Sequence, residues 1–229
     1  MKRWIALATM ILALASAAAA GDVATLVNLG FSPDSAYFMF GFYGIDAAAG
    51  KPYAEIFAVD TKRNEYVPGG SFRGLYAIDL QPGWNPSGAF YRLFADATPI
   101  ARKLRIDHLQ QGRLVYLLID GAESPDAISF KDFDTGAQWD VALKETVEEK
   151  GGSVVSSFGV VVTVTTADGK KTTVKGGNPT FKRAGVSDYT IRQIFVAPDG
   201  KTVVMLIERL ERSAAGATVR YMVETLKLP

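Results

Sequence analysis

The 229-residue chain has no cysteine and a single histidine, His108. The first absence excludes disulfides and thiol nucleophiles, so the fold must hold together by packing alone. The second excludes a Cys/His nucleophilic pair and a His-rich zinc site. A Ser-His-Asp triad needs a serine on a strained elbow, and no G-x-S-x-G occurs. His108 therefore reads as a surface or hydrogen-bonding residue. Beyond the first twenty residues no apolar run is long enough to cross a bilayer. Charge of one sign is also missing. With Lys2 and Arg3 set aside, the formal net charge moves from +1 to −1. A near-neutral protein has no broad field to gather nucleic acid or anionic lipid.

What is present begins with an address. Lys2 and Arg3 form a positive start, Trp4 to Ala15 an apolar run, and Ser16 to Ala20 a small-residue tract. This is the pattern of a signal peptide over residues 1–20, with cleavage expected after Ala20. No cysteine follows the run, so no lipid anchor is expected there. Localisation is expected to be periplasmic or secreted. With 48% apolar residues, 21–229 is expected to form a single mainly-β domain.

The chain then reads as β-meanders. Strands are expected at Val23–Phe31, Ala36–Tyr43 and Tyr53–Asp60, with a turn at Ser32-Pro33-Asp34-Ser35. Pro33 presets φ, and Asp34 can bond its own backbone two residues on. The same grammar closes the chain. Strand Thr190–Val196 meets the turn Ala197-Pro198-Asp199-Gly200, then Lys201–Glu208, a loop at Arg212–Gly216, and Ala217–Leu228. Between lie a short strand candidate at Leu75–Leu80, a hairpin of Arg105–Gln110 with Arg113–Asp120, and strands Ala127–Asp132 and Ala137–Glu145. Glu145–Gly152 reads as an exposed charged loop. Ser153–Thr166 and Lys171–Lys175 form a hairpin through Ala167-Asp168-Gly169-Lys170, and Thr180–Arg183 precedes the last meander. One helical stretch is expected over Pro86–Lys103, as one broken helix or two short ones. Asn85 caps it, Pro86 opens it, and Ala89, Phe90, Leu93, Phe94 and Ala97 share one face.

Three strands are apolar at every position: Ala36–Phe40, Leu114–Ile119 and Val203–Ile207. A strand with one wet face alternates, so these three are expected to be covered on both faces. Val23–Phe31 is expected beside Ala217–Leu228, joining the ends and closing two exposed edges.

Four units of roughly 40 to 50 residues, from near Val23, Arg105, Ser153 and Tyr189, have the period of propeller blades. Phe31-Ser32-Pro33-Asp34-Ser35-Ala36 and its echo Phe195-Val196-Ala197-Pro198-Asp199-Gly200-Lys201 resemble the hairpin of TolB-like and WD40-like propeller repeats. The expected fold is all-β with a short helical insertion: stacked antiparallel β-meanders, propeller-like, in four or five small sheets. The alternative is a β-sandwich with a capping helix. The middle units lack the Pro-Asp pair, and a helix is foreign to a regular blade. More closely, the opening from Gly21-Asp22-Val23-Ala24 through Asn28-Leu29-Gly30-Phe31-Ser32-Pro33-Asp34, with Phe40-Gly41 and Tyr43-Gly44-Ile45-Asp46, resembles a family of predicted secreted bacterial proteins of unknown function. That resemblance implies export and carries over no catalytic residue.

No residue acquires a catalytic or metal-binding role from the sequence, and no cofactor is implied. Asp120, Glu123, Asp126, Asp132 and Asp134 cluster but meet no calcium-loop spacing, so they read as solvated turn carboxylates. Lys170, Lys171, Lys175, Lys182 and Arg183 read as a solvated hairpin face. Gly69-Gly70 and Gly176-Gly177 read as tight turns. Phe42, Tyr43, Tyr53, Phe90 and Tyr91 read as core. Trp84 is the exception: in a Gly/Pro loop its ring can reach solvent and bind a ligand. The expected function is a non-enzymatic exported protein for binding or envelope assembly, its partner a protein, small molecule or glycan of the cell envelope. The alternative is a carboxylate-dependent hydrolase acting on glycans, with or without calcium.

Overall fold

The structure, a computed structural model, describes residues 22–119, 125, 127–213 and 216–229. The expected signal peptide, and Asp120, Glu123 and Asp126, lie outside the described residues. Strands β1 (Asp22–Val23), β2 (Thr25–Phe31), β3 (Tyr37–Asp46), β4 (Lys51–Asp60) and β5 (Glu65–Leu75) precede helix α1 (Ser87–Lys103). After it come β6 (Arg113–Leu117), β7 (Ala127–Lys131), β8 (Gln138–Lys150), β9 (Ser153–Thr165), β10 (Lys171–Gly177) and β11 (Arg183–Ala184). The chain closes with β12 (Val186–Val196), β13 (Thr202–Ser213) and β14 (Gly216–Lys227).

Among the described residues these form three sheets, ordered β2-β3-β4-β5, β1-β14-β13-β12-β6 and β10-β9-β8-β7, with β11 on β9. The stacked antiparallel meanders expected from the sequence are there, as three sheets rather than four or five. A buried cluster of Phe31, Phe38, Phe40, Phe42 and Phe57 with Val204, Leu206 and Tyr221 joins the four-stranded sheet to the sheet of β12–β14. A second cluster of Trp139, Phe158, Val160 and Val162 with Ile194, Met205 and Ile207 joins that middle sheet to the third. Helix α1 covers the remaining face of the four-stranded sheet through Ala89, Phe90, Leu93, Ala97 and Ala101 on Met39, Ala54 and Ile56. Each sheet face thus covered removes apolar area from water, worth roughly 25 cal/mol per Å².

The layering explains the unbroken apolar runs. In Val203–Ile207, odd residues face one cluster and even residues the other. Phe38 and Phe40 face the middle sheet while Met39 faces α1. The third run departs from expectation. β6 is an edge strand paired only with β12, and Leu114, Leu117 and Ile119 are exposed. Val115 and Tyr116 pack toward the third sheet, but no side chain of β6 joins the other cluster.

The two similar turns meet. Asp199 N–H donates to Ser35 Oγ at 3.1 Å, so the hairpins β2–β3 and β12–β13 stack with their turns adjacent. The ends also meet, by two residues only: Asp22 and Val23 pair in parallel with Thr218 and Val219. The rest of the first strand pairs with β3 instead. A polar bracket ties all three sheets. Asn64 Nδ2 and Gly177 N–H both donate to Glu224 Oε1, at 2.7 and 2.6 Å. Gly177 has φ +72°, and a Cβ there would lie 2.8 Å from the Phe158 carbonyl oxygen.

Five local expectations change. Glu145–Gly152 is not a loop: β8 continues to Lys150 and only Gly151-Gly152 turn. Glu148 and Glu149 are exposed while the backbone stays paired with β9. Leu75–Leu80 is not a strand; β5 comes earlier and runs through Pro68, which an edge strand tolerates because no ladder partner needs its N–H. Arg105–Gln110 is irregular, with Arg105 at φ 55° and one bridge from Phe31 to Asp107. Of Thr180–Arg183 only Arg183 is in a strand. The helix is one continuous element despite Pro99, which is exposed, and Thr98 Oγ1 donates to the Phe94 carbonyl at 2.9 Å.

Candidate functional site

Trp84 sits where its loop was expected to present it. Trp84 N–H closes a turn on the Gln81 carbonyl at 3.0 Å, with Gly83 at φ +87°. Asn85 Oδ1 then accepts from Ser87 N–H at 2.9 Å in a local turn, and Pro86 rather than Asn85 takes the N-cap position of α1, with no side-chain cap bond. The indole is 59% exposed, against 3% for Trp139. It lines a cleft of about 250 Å³ between the 76–86 loop and the first turns of α1, with Tyr76, Ile78, Leu80 and Arg92. Arg92 lies over the Tyr76 ring at 5.2 Å, which fixes one cation on the rim. Lys51 pairs with Asp79 of the same loop. The result is an apolar slot with an exposed aromatic plane and a cation beside it. Such a site can stack on a flat apolar face, as a sugar or a planar small molecule offers. Tyr76, Ile78 and Leu80 were not singled out in the sequence, because their segment reads as a strand, and Arg92 was not because it falls in the helical stretch.

The other candidates go elsewhere. His108 Nδ1 lies 2.6 Å from the Leu29 carbonyl, so that nitrogen carries the proton and donates, and the ring meets Phe94 edge-on at 5.2 Å. Phe42, Tyr53 and Phe90 are buried core, Tyr43 packs on Phe90 at 5.7 Å, and Tyr91 is exposed. Lys182 pairs with Glu148 at 2.7 Å, and Arg183 stacks between the rings of Phe158 and Phe181 at 5.0 and 4.8 Å. Gly69-Gly70 lie within β5 and Gly176-Gly177 within β10. Among the described residues no three of His, Asp and Glu come together as a metal-holding set.

The family model described as Predicted secreted protein (DUF2259) matches residues 39–227, from the middle of β3 to the end of β14. The chain belongs to this family. No curated protein matches it. For this predicted secreted protein, export agrees with the reading of residues 1–20, and among the described residues no helix is long and apolar enough to cross a membrane.

Of the acidic cluster, Asp134 is exposed and pairs with Arg113 at 3.3 Å, while Asp132 departs from the solvated reading. It is buried, and both its oxygens accept from Arg113, at 2.6 and 2.8 Å, while Thr135 Oγ1 donates at 2.7 Å. The Arg113 hydrogen bonds hold its carboxyl down to about 2, against the opposing pull of burial. A depressed carboxylate stabilises the fold above the unfolded value, near 3.9, and loses that contribution as pH falls through the folded one. Since Arg113 is partly solvated, the contribution is at most about 2 kcal/mol. Asp132→Asn is expected to flatten the loss of stability between about pH 4 and pH 2, measured by urea unfolding across that range. An unchanged acid profile would mean the pair contributes nothing.

Proposed function

We propose that this chain is an exported, non-enzymatic binding protein acting in ligand capture or assembly in the cell envelope. Residues 21–229 would act as one mainly-β unit, and Trp84 as the ligand contact. The observation that supports it most is Trp84 itself, an exposed indole over an apolar cleft with Arg92 on its rim. Its scaffold is rigid where it matters, since α1 packs on β3 and β4 through Phe90 and Leu93. The ligand class that suits the slot is a glycan unit or another flat-faced small molecule. The rival reading, a carboxylate-dependent glycan hydrolase, has less support, because Asp132 is engaged by Arg113 and Thr135.

The test uses fluorescence. Trp84 and Trp139 are the only tryptophans beyond the expected leader, and one is exposed while the other is buried. Oligosaccharides of N-acetylglucosamine and of glucose, titrated into the exported protein, are expected to shift Trp84 emission without releasing reducing ends. Trp84→Ala is expected to weaken binding at least tenfold with Tm unchanged. Unaltered binding by Trp84→Ala would sink the assignment, and release of reducing ends would favour the hydrolase.

A further inference from the structure

A second cleft lies at one end of the stack formed by the middle and third sheets. Three β-turns converge on it: 132–136 between β7 and β8, 166–170 between β9 and β10, and 197–201 between β12 and β13. Two of these turns carry the same tripeptide, Asp168-Gly169-Lys170 and Asp199-Gly200-Lys201. In each, the aspartate is consumed locally. Asp168 accepts from Thr166 Oγ1, and Asp199 accepts from Lys201 N–H at 2.9 Å and from Thr202 N–H and Oγ1 at 2.7 Å each. The lysine that follows each glycine lines the cleft. Neither Lys170 nor Lys201 has an ion-pair partner among the described residues.

The inside of the cleft is apolar. Trp139, Val164 and Val196, all nearly buried, line it with Leu228. The buried Trp139 indole N–H has no hydrogen-bond partner among the described residues, which is unfavourable for a donor removed from water. Arg113 and Asp132 close one side as a forked pair. Charge in the lining is three positive, Arg113, Lys170 and Lys201, against Asp132 and the Pro229 carboxylate. The space is about 250 Å³. At ~30 Å³ per water-sized unit, that is room for roughly eight non-hydrogen atoms.

We propose that this cleft is a binding site for a small amphipathic carboxylate, its apolar body against Trp139, Val164 and Val196 and its carboxylate between Lys170 and Lys201. An ammonium with no partner is well hydrated and gives up little of that on meeting a carboxylate at the mouth of an apolar pocket. The repeated Asp-Gly-Lys turn brings both lysines to the cleft, because the Asp side chain holds the backbone of each turn. The site is separate from the Trp84 cleft and does not rest on it.

The experiment is calorimetric titration of the exported protein with octanoate, 1-octanol and acetate. A Trp84→Phe background leaves Trp139 as the optical reporter, so failure here is distinguishable from failure at Trp84. Octanoate is expected to bind and to perturb Trp139 emission, with octanol and acetate each at least tenfold weaker. Lys170→Gln with Lys201→Gln is expected to weaken octanoate about tenfold. Thr172→Trp, on the rim, is expected to abolish binding with Tm retained. Failure of octanoate to bind, equal binding of octanol or acetate, or full affinity in the double lysine variant would each overturn the proposal.

Discussion

Replacing Phe40 with alanine is expected to lower stability by about 3–5 kcal/mol and Tm by order 10 °C. The ring is fully buried between the four-stranded sheet and the middle sheet, stacked on Phe38 at 6.0 Å and Phe57 at 5.4 Å. Neighbours cannot collapse into the space it leaves. On one side they are aromatic rings in the same ladder, and on the other they are Val204 and Leu206 of a strand that is itself covered on both faces. The control is Leu117→Ala, equally apolar in sequence but exposed on edge strand β6, with an expected cost within about 1 kcal/mol. Urea unfolding of both variants reads the difference directly. Equal costs would mean that the sheets are not packed face to face at Phe40.

That pair of substitutions also marks how far the sequence could be read. Val203–Ile207 and Phe38–Phe40 were legible because a strand covered on both faces has no use for alternating polar residues. Leu114–Ile119 carried the same signal and misled, since an apolar run does not say whether its strand ends up central or at an edge. Glu145–Lys150 misled in the opposite direction. Its composition reports solvated side chains, while its backbone ladder with β9 is invisible in composition. At the candidate site, Trp84 was legible from its Gly/Pro loop. Tyr76, Ile78 and Leu80 were not, because their segment reads as a strand and nothing in it shows that it folds back beside Arg92 of α1. Likewise the Asp-Gly-Lys turns were visible as turns, but their convergence depends on sheet stacking that local sequence does not encode.

Arg220→Met is expected to cost about 3–5 kcal/mol, because it strands the carboxylate of Asp22 in a buried position. Arg220 Nη2 lies 2.9 Å from Asp22 Oδ2, Nη1 donates to the Val219 carbonyl at 3.0 Å, and the guanidinium covers the Tyr53 ring at 4.4 Å. Both charged side chains are almost wholly buried. Tyr53 offers no substitute cation, and burial pushes its phenol above the usual tyrosine range. Asp22 also begins β1, the two-residue parallel pairing that fastens the first strand to β14. The double variant Asp22→Leu with Arg220→Met removes both charges and retains apolar bulk. It is expected to recover most of the loss, since well-packed apolar replacements of a buried pair are often neutral. A double-mutant cycle by urea unfolding measures the coupling, and limited proteolysis near residue 24 reports whether β1 has been released. If Arg220→Met costs less than about 1 kcal/mol, the pair is not what holds the first strand against the last.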